Sequence, residues 1–153
     1  MTSLSSIPVD NRRLTVRIVA SEILRTLNAL ARMQGGDMFE MLVFTAVWTA
    51  NTRHLTSPSR YAGLYDIPPD REHRPLPEAD LAAMIGAPAD ILDRYVAKLI
   101  ADGVVERVSG GLNVPAAVFT QPEMLAGAGE LYARMTGLIA ALRTAGFSLG
   151  EGD

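Results

Sequence analysis

The segment from Leu76 to Pro115 restricts the fold of this chain more than any other part of the sequence. It reads LPEADLAAMIGAPADILDRYVAKLIADGVVERVSGGLNVP. Apolar residues at helical spacing predict a short helix, an exit turn at Gly86 and a second, longer helix that stops at Asp102-Gly103. Residues 104–108 then predict a strand, Ser109-Gly110-Gly111 a tight turn and residues 112–114 a return strand. The predicted order is therefore helix, turn, helix and two-stranded hairpin.

The two predicted helices each have an inner and an outer face. The inner positions are Leu81, Ala82 and Ile85 in the first helix, and Leu92, Val96 and Leu99 in the second. The outward positions of the second helix are then Ala89, Asp90, Asp93, Arg94, Ala97 and Lys98. The pattern predicts that the first set forms a core and that the second set is available for contacts outside the domain.

This pattern resembles the winged helix-turn-helix regulators of the multiple-antibiotic-resistance and cyclic-AMP-receptor types. The similarity covers about a quarter of the chain and is carried by Leu81, Ala82, Gly86, Leu92, Arg94, Val96, Leu99 and Gly103. The resemblance implies a fold that is mostly α with a small β-wing. In that fold a winged helix-turn-helix is flanked by N- and C-terminal dimerisation helices.

The resemblance also implies a DNA-binding transcription regulator that acts as a homodimer on double-stranded DNA. In such proteins the second helix enters the major groove and the wing touches the backbone. Arg94 is the residue suited to a bidentate pair with guanine. By position, the expected DNA-binding residues are Ala89, Asp90, Asp93, Arg94, Lys98, Arg107 and Ser109.

The charge of the chain argues against DNA binding. The net charge is −3, whereas nucleic-acid-binding domains are more often basic. Within residues 76–115, three basic side chains stand against six acidic ones. Arg94 has an alternative role as the helical partner of Asp90, and Lys98 as the partner of Asp102. A winged-helix module that binds a protein partner without binding DNA is therefore the alternative function.

The remaining sequence divides into four predicted regions. They are a flexible tail (1–13), an N-terminal helical region (14–54), a Pro-rich connecting loop (55–75) and a C-terminal dimerisation helix (122–146). The helical region holds an amphipathic helix and a second helix that is apolar on nearly every face, with Asp37 as its N-cap. The loop is either a functional arm or a segment that packs over the core through Tyr61, Leu64, Tyr65 and Ile67.

The last helix carries a heptad-like apolar seam. Pro122 stands in its first turn, where a missing N–H has no cost. The seam predicts a dimer interface formed by Met124, Leu131, Met135, Leu138 and Leu142.

No catalytic, cofactor or metal motif stands out. The chain has no Cys, and its two histidines, His54 and His73, have no acidic partner at a metal-binding spacing. We expect a cytoplasmic protein that is not an enzyme, has no cofactor and no metal, and does not associate with a membrane. A pocket for a small apolar effector is an open alternative to simple core packing for Met33, Met38, Phe39, Met41, Phe44 and Trp48.

Overall fold

The computed structural model describes residues 10–148, which are mostly helical with one two-stranded antiparallel sheet. The elements in chain order are α1 (Arg12–Met33), α2 (Met38–Thr52), a 3₁₀ turn (Asp70–Glu72), α3 (Glu78–Ile85), α4 (Ala89–Ala101), β1 (Glu106–Val108), β2 (Gly111–Asn113), α5 (Ala116–Phe119) and α6 (Pro122–Thr144). Residues 1–9 of the predicted tail lie outside the described residues, and α1 begins within that predicted tail, at Arg12.

Helix α2 is the central element of the fold. It packs against α1, α3, α4 and β2, and Val43 and Val47 on it are fully buried. Its N-cap is Asp37, as predicted, and the carboxylate Oδ1 accepts hydrogen bonds from the backbone N–H groups of Phe39 and Glu40 at 2.9 and 3.0 Å. The sequence predicts that this helix is apolar on nearly every face and therefore surrounded by other elements. This is correct for most of α2, although Leu42 is 40% exposed.

Helices α3 and α4 follow the predicted pattern closely. Gly86 ends α3 in the left-handed conformation, with φ 68°, which glycine adopts at little cost. The inner faces predicted for the two helices supply the core residues Leu81, Leu92, Val96 and Leu99, each at most 3% exposed. The predicted inner residue Ile85 is only half-buried and packs at the margin of that core.

The hairpin is shorter than predicted and has a third backbone partner. Strand β1 pairs with β2 so that Arg107 faces Leu112. Leu76 adds an isolated bridge on the other side of β2, exchanging two backbone hydrogen bonds of 2.8 and 2.9 Å with Leu112. Gly111 is required at this crossing, because a Cβ there would lie 2.2 Å from the Leu76 carbonyl oxygen. The backbone before α3 is therefore fixed to the hairpin.

Asn51 joins α2 to two distant segments and is fully buried. Its Nδ2 group donates to the carbonyl oxygens of Arg74 (2.9 Å) and Leu112 (3.0 Å), and its Oδ1 accepts from the Val114 N–H (2.9 Å). The Asn51 carbonyl also accepts from the Arg74 N–H at 3.0 Å. One side chain thus satisfies buried backbone groups on either side of the α3–α4 unit.

Helices α1 and α6 run antiparallel to each other. Asn11 Nδ2 donates to the Ala145 carbonyl at 3.2 Å, and Glu22 pairs with Arg134 at 3.6 Å. At the C-terminal end of α1, the side chain of Met33 lies directly on Gly127 of α6. A Cβ added at Gly127 would lie only 2.0 Å from the Met33 Cε. Part of the α6 surface is therefore used within the chain.

We expect Asn51→Ala to lower the free energy of unfolding by about 2–4 kcal/mol, because one buried and one partly buried backbone group lose their partners. The Val114 N–H and the Arg74 carbonyl would be unsatisfied, whereas the Leu112 carbonyl keeps its bond from Leu76. Urea unfolding followed by circular dichroism measures the change. The control is Asn28→Ala on an exposed position of α1, where we expect a change within about 0.5 kcal/mol. Equal effects of the two substitutions would contradict the role of Asn51.

Candidate nucleic-acid interface and apolar clefts

The seven residues predicted to bind DNA are all exposed. Five of them, Ala89, Asp90, Asp93, Arg94 and Lys98, lie along one side of α4, which we call the outer α4 face. The other two, Arg107 and Ser109, lie on the hairpin, which packs on α2 and pairs with Leu76. The structure therefore divides the predicted residues between one helix face and the hairpin.

Lys98 is held by a carboxylate of the central helix. Its Nζ lies 2.5 Å from Oε2 of Glu40, a residue that is only 4% exposed. This hydrogen bond to Glu40 raises the pKa of Lys98 above its ordinary value. The ammonium group anchors α4 to α2 and satisfies a buried acid, so it is not free to contact phosphate without breaking that pair.

Arg107 is also paired within the chain. Its Nε donates to Oε1 of Glu78 at 2.9 Å, which links the hairpin to the start of α3. Both side chains are about half exposed, so solvent screens the pair and its contribution to stability is small. The pair matters chiefly because it neutralises the one cation of the hairpin.

Arg94 is the cation of the outer α4 face that stays unpaired. It is exposed and makes no hydrogen bond or ion pair with any other residue in the described range, including Asp90. Asp90 and Asp93 are exposed as well, without an ion pair to any described residue. The outer α4 face thus carries one free cation beside two free carboxylates.

Two further arginines lie just before α3. Arg71 and Arg74 are exposed, and neither side chain forms an ion pair within the part of the chain that the structure describes. The neighbouring His73 differs from them, because its side chain is only 2% exposed and faces Asn113. The exposed basic side chains just before α3 are therefore these two arginines.

A second link between α2 and α4 lies beside the Lys98 pair. The Tyr95 hydroxyl donates to Oδ2 of Asp37 at 3.1 Å, and the Tyr95 ring packs against Phe39 in a tilted arrangement with centroids 4.8 Å apart. The backbone N–H of Glu40 makes the largest contribution that holds the pKa of Asp37 below its ordinary value of 3.8, with Tyr95 contributing in the same direction. Asp37 therefore fixes both the start of α2 and the angle of α4.

The residues predicted for a dimer interface differ in how far α1 and the core cover them. Met124 packs at the edge of the core, and Leu131 lies in a narrow gap between α1 and α6. Leu138 and Leu142 are half-buried, and Met135 is 39% exposed. An apolar stripe remains uncovered on α6, formed by Tyr132, Met135 and Ile139.

Helix α1 also exposes apolar side chains. Val16 is 61% exposed and Ile23, two turns later on the same face, is 52% exposed. Both belong to the apolar stripe that the sequence predicts for this helix. The α1–α6 pair therefore leaves apolar surface uncovered on each of its helices.

An apolar cleft of about 230 Å³ lies between α1, α2 and α6. Four of the six residues suggested for an effector pocket line it, namely Met33, Met41, Phe44 and Trp48. Phe39 packs against Tyr95 instead, and Met38 does not line this cleft. The sequence thus indicates most of the lining, although these residues also serve as core.

A second cleft of about 340 Å³ lies under residues 55–75, which we call the proline-rich segment. Ile67 and His73 line it, and it shares four residues with the first cleft, namely Trp48, Phe119, Met124 and Ala128. The segment packs through Ile67 and the half-buried Tyr61, whereas Leu64 and Tyr65 are 46% and 77% exposed. No sequence pattern indicated this cleft, because its walls come from residues far apart in the chain.

No family model, curated protein or solved structure matches this chain. Within residues 10–148, no helix is both long and apolar enough to cross a bilayer. The same residues contain no group of three acidic or histidine side chains placed to hold a metal ion.

The depressed pKa of Asp37 predicts a pH-dependent contribution to stability. Because the folded-state pKa lies below 3.8, the charged carboxylate stabilises the fold fully above pH 3.8, and this contribution is lost as the pH falls through the folded-state pKa. Asp37→Asn keeps an N-cap residue but removes the charge, so its deficit relative to wild type should be present at pH 7 and should shrink below pH 3.8. Asp37→Ala should also lose the cap, at about 1 kcal/mol.

Urea unfolding at a series of pH values measures these differences. Asp93→Asn, on an exposed position of α4, is the matched control and should show no comparable loss at pH 7. A deficit of Asp37→Asn that stays constant down to pH 2 would show that the carboxylate charge contributes nothing.

Proposed function

We propose that this protein is a homodimeric, DNA-binding transcription regulator in which residues 76–115 act as a winged helix-turn-helix. The observation that carries the proposal is the order α3, a left-handed turn at Gly86, α4 and a hairpin, with the outer α4 face exposed apart from the pairing of Lys98 with Glu40. A helix presented in this way is the element that enters the major groove in this class of protein.

Within this proposal, Arg94 is the base-reading residue. It is exposed, unpaired and part of the outer α4 face, and a guanidinium suits the two acceptors of guanine in the major groove. Arg71 and Arg74 supply positive charge next to α3 for phosphate contacts. Arg107 would reach phosphate only after leaving Glu78, and Lys98 only after leaving the buried Glu40.

The homodimer is proposed from the uncovered apolar surface on α1 and α6. Val16, Ile23, Tyr132 and Ile139 are between 41% and 77% exposed, a costly arrangement for side chains of this size. A second copy related by a two-fold axis would cover both stripes at once and would present two copies of α4 to one duplex. The proposed operator is therefore near-palindromic, with half-sites about one helical turn apart.

The acidic character of the outer α4 face favours a second candidate function. Asp90 and Asp93 flank the only free cation there, and carboxylates near phosphates weaken DNA binding. In this alternative the protein is a winged-helix interaction module whose outer α4 face binds a basic protein partner. The two functions differ in their response to removing acidic charge, since loss of acid strengthens DNA binding and weakens binding to a basic partner.

We expect Arg94→Ala to weaken DNA binding and Glu78→Gln to strengthen it. Glu78→Gln releases Arg107 from its ion pair, so one more phosphate contact becomes available and the slope of log K against log salt should steepen by about one. Arg94→Ala should cost about 1–3 kcal/mol on a selected site. Fluorescence anisotropy with labelled DNA at several salt concentrations measures both effects.

The control for these substitutions is Arg25→Ala on an exposed position of α1, outside the helix-turn-helix. It should leave both affinity and salt slope close to wild type. If Glu78→Gln leaves DNA binding unchanged and Arg94→Ala has no larger effect than Arg25→Ala, α4 and the hairpin are not the DNA-binding surface.

We expect Ile139→Glu to give a folded monomer, because it places a charge in the uncovered stripe of α6. Ala133→Glu, on an exposed position away from that stripe, should remain dimeric. Leu131→Glu should instead lower the stability of the chain itself, since Leu131 lies between α1 and α6. Sedimentation velocity together with thermal unfolding separates these outcomes, and an intact dimer for Ile139→Glu would show that the stripe is not the interface.

A further inference from the structure

We propose that the cleft under the proline-rich segment binds a small, neutral aromatic molecule carrying a hydroxyl group. The aromatic ring would lie against Trp48 and Phe119, and the hydroxyl would donate to Nε2 of His73. This site goes beyond DNA binding, because a ligand can occupy it whether or not α4 contacts DNA.

The size and walls of the cleft suit an aromatic ligand. Its volume of about 340 Å³ is within the range of small-molecule sites, although towards the lower end. Trp48 and Phe119 lie edge to face with centroids 6.0 Å apart, and Met124 and Ile67 extend the apolar wall. Methionine adapts to ligands of varied shape, so the wall does not require one outline.

His73 is one of the polar residues that line the cleft, and its tautomer follows from its neighbours. Asn113 Nδ2 donates to Glu106 Oε1 at 3.1 Å, because a carboxylate only accepts. Asn113 therefore presents its oxygen to His73, and Nδ1 of His73 carries the proton that bonds Asn113 Oδ1 at 2.7 Å. In the neutral ring Nε2 is then a lone-pair acceptor.

This acceptor has no partner within the described residues. The His73 side chain is 2% exposed, and Nε2 is buried without a hydrogen bond in that part of the chain, so a ligand hydroxyl reaches it only after a small shift of the ring or of a neighbouring wall residue. A buried acceptor without a donor is unfavourable, so a ligand that brings an O–H group gains a bond that an all-carbon ligand does not. This unpartnered nitrogen distinguishes the cleft chemically from the apolar cleft between α1, α2 and α6, whose lining does not include His73.

The charge beside the cleft selects against acids. Asp66 lines the cleft and is exposed, and its Oδ2 accepts from the Gly63 N–H at 3.2 Å. A carboxylate at this position repels an anionic ligand, whereas a neutral phenol carries no charge. The ligand class is therefore a neutral phenol rather than an aromatic acid.

The backbone of Tyr61 is strained at the wall of the same cleft. Tyr61 is the one non-glycine residue in the described range with positive φ, at 53°. Arg60 holds its hydroxyl through Nη2 at 3.1 Å and in turn pairs with Glu72. Conformations of this kind are uncommon for a bulky residue and cluster at ligand sites.

Trp48 is the single tryptophan of the chain, so its fluorescence reports on a ligand in either of the two clefts that it lines. The full chain is titrated at pH 7 with 4-ethylphenol, ethylbenzene and 4-ethylbenzoate. We expect saturable quenching by 4-ethylphenol, with Kd about fivefold to tenfold lower than that of ethylbenzene, the ratio that one net hydrogen bond gives. We expect 4-ethylbenzoate to bind most weakly of the three.

Two measurements test the site, and the first of them distinguishes this cleft from the one between α1, α2 and α6, because Ala128 lines both and His73 lines only this one. In protein labelled with ¹⁵N-histidine, the Nε2 signal of His73 should move upfield with 4-ethylphenol and stay in place with ethylbenzene. Ala128→Phe adds a ring at an exposed α6 position that lines the cleft, and it should weaken phenol binding at least tenfold. The control Ala133→Phe adds the same ring at an exposed α6 position that does not line the cleft, and it should bind phenol like wild type.

Absence of saturable quenching would overturn the proposal. So would equal affinities for phenol and ethylbenzene with an unchanged His73 signal, or phenol binding that Ala128→Phe leaves intact. The titrations contain no DNA, so a failure here does not affect the proposed DNA-binding function.

Discussion

The amide of Asn51 links three parts of the chain on whose arrangement the other surfaces depend. It bonds α2 to Arg74, at the end of the proline-rich segment, and to Leu112 and Val114 around β2. The α3–α4 unit lies between these two attachment points along the chain, so its position relative to α2 is fixed at both ends. Buried amides of this kind are effective only when every donor and acceptor is satisfied, which is the case here for both groups of the Asn51 side chain.

The contacts between α2 and α4 explain why the outer α4 face is poor in positive charge. Lys98 is committed to the buried Glu40, and Tyr95 is committed to Asp37. Glu40 and Asp37 orient α4 through these contacts, and the single lysine of the chain is therefore paired with Glu40. What remains outside is Arg94 between two aspartates, so the proposed DNA complex would combine sequence-selective contact with weak electrostatic attraction. In that proposal the arginines before α3 supply the additional phosphate contacts.

Local patterns predicted the helices and the turn well because those elements depend on nearby residues. The N-cap at Asp37, the left-handed Gly86 and the inner residues Leu81 and Leu99 follow from spacing and side-chain chemistry alone. The buried Asn51, the Glu40–Lys98 pair, the Leu76–Leu112 bridge and the cleft beside His73 join positions far apart in sequence. No periodicity marks such contacts, and α5 is too short to leave a helical pattern. The outer α4 face was predictable as a surface, but the pairing of Lys98 and Arg107 was not.

Selection of DNA fragments from a random pool by the purified protein is the most direct measurement of the proposed function. A winged-helix dimer with Arg94 as its base reader predicts enrichment of a near-palindromic site with guanine in each half, with half-sites about one helical turn apart. No enriched sequence at low salt, from protein shown to be folded and dimeric, would contradict DNA binding and favour the interaction module.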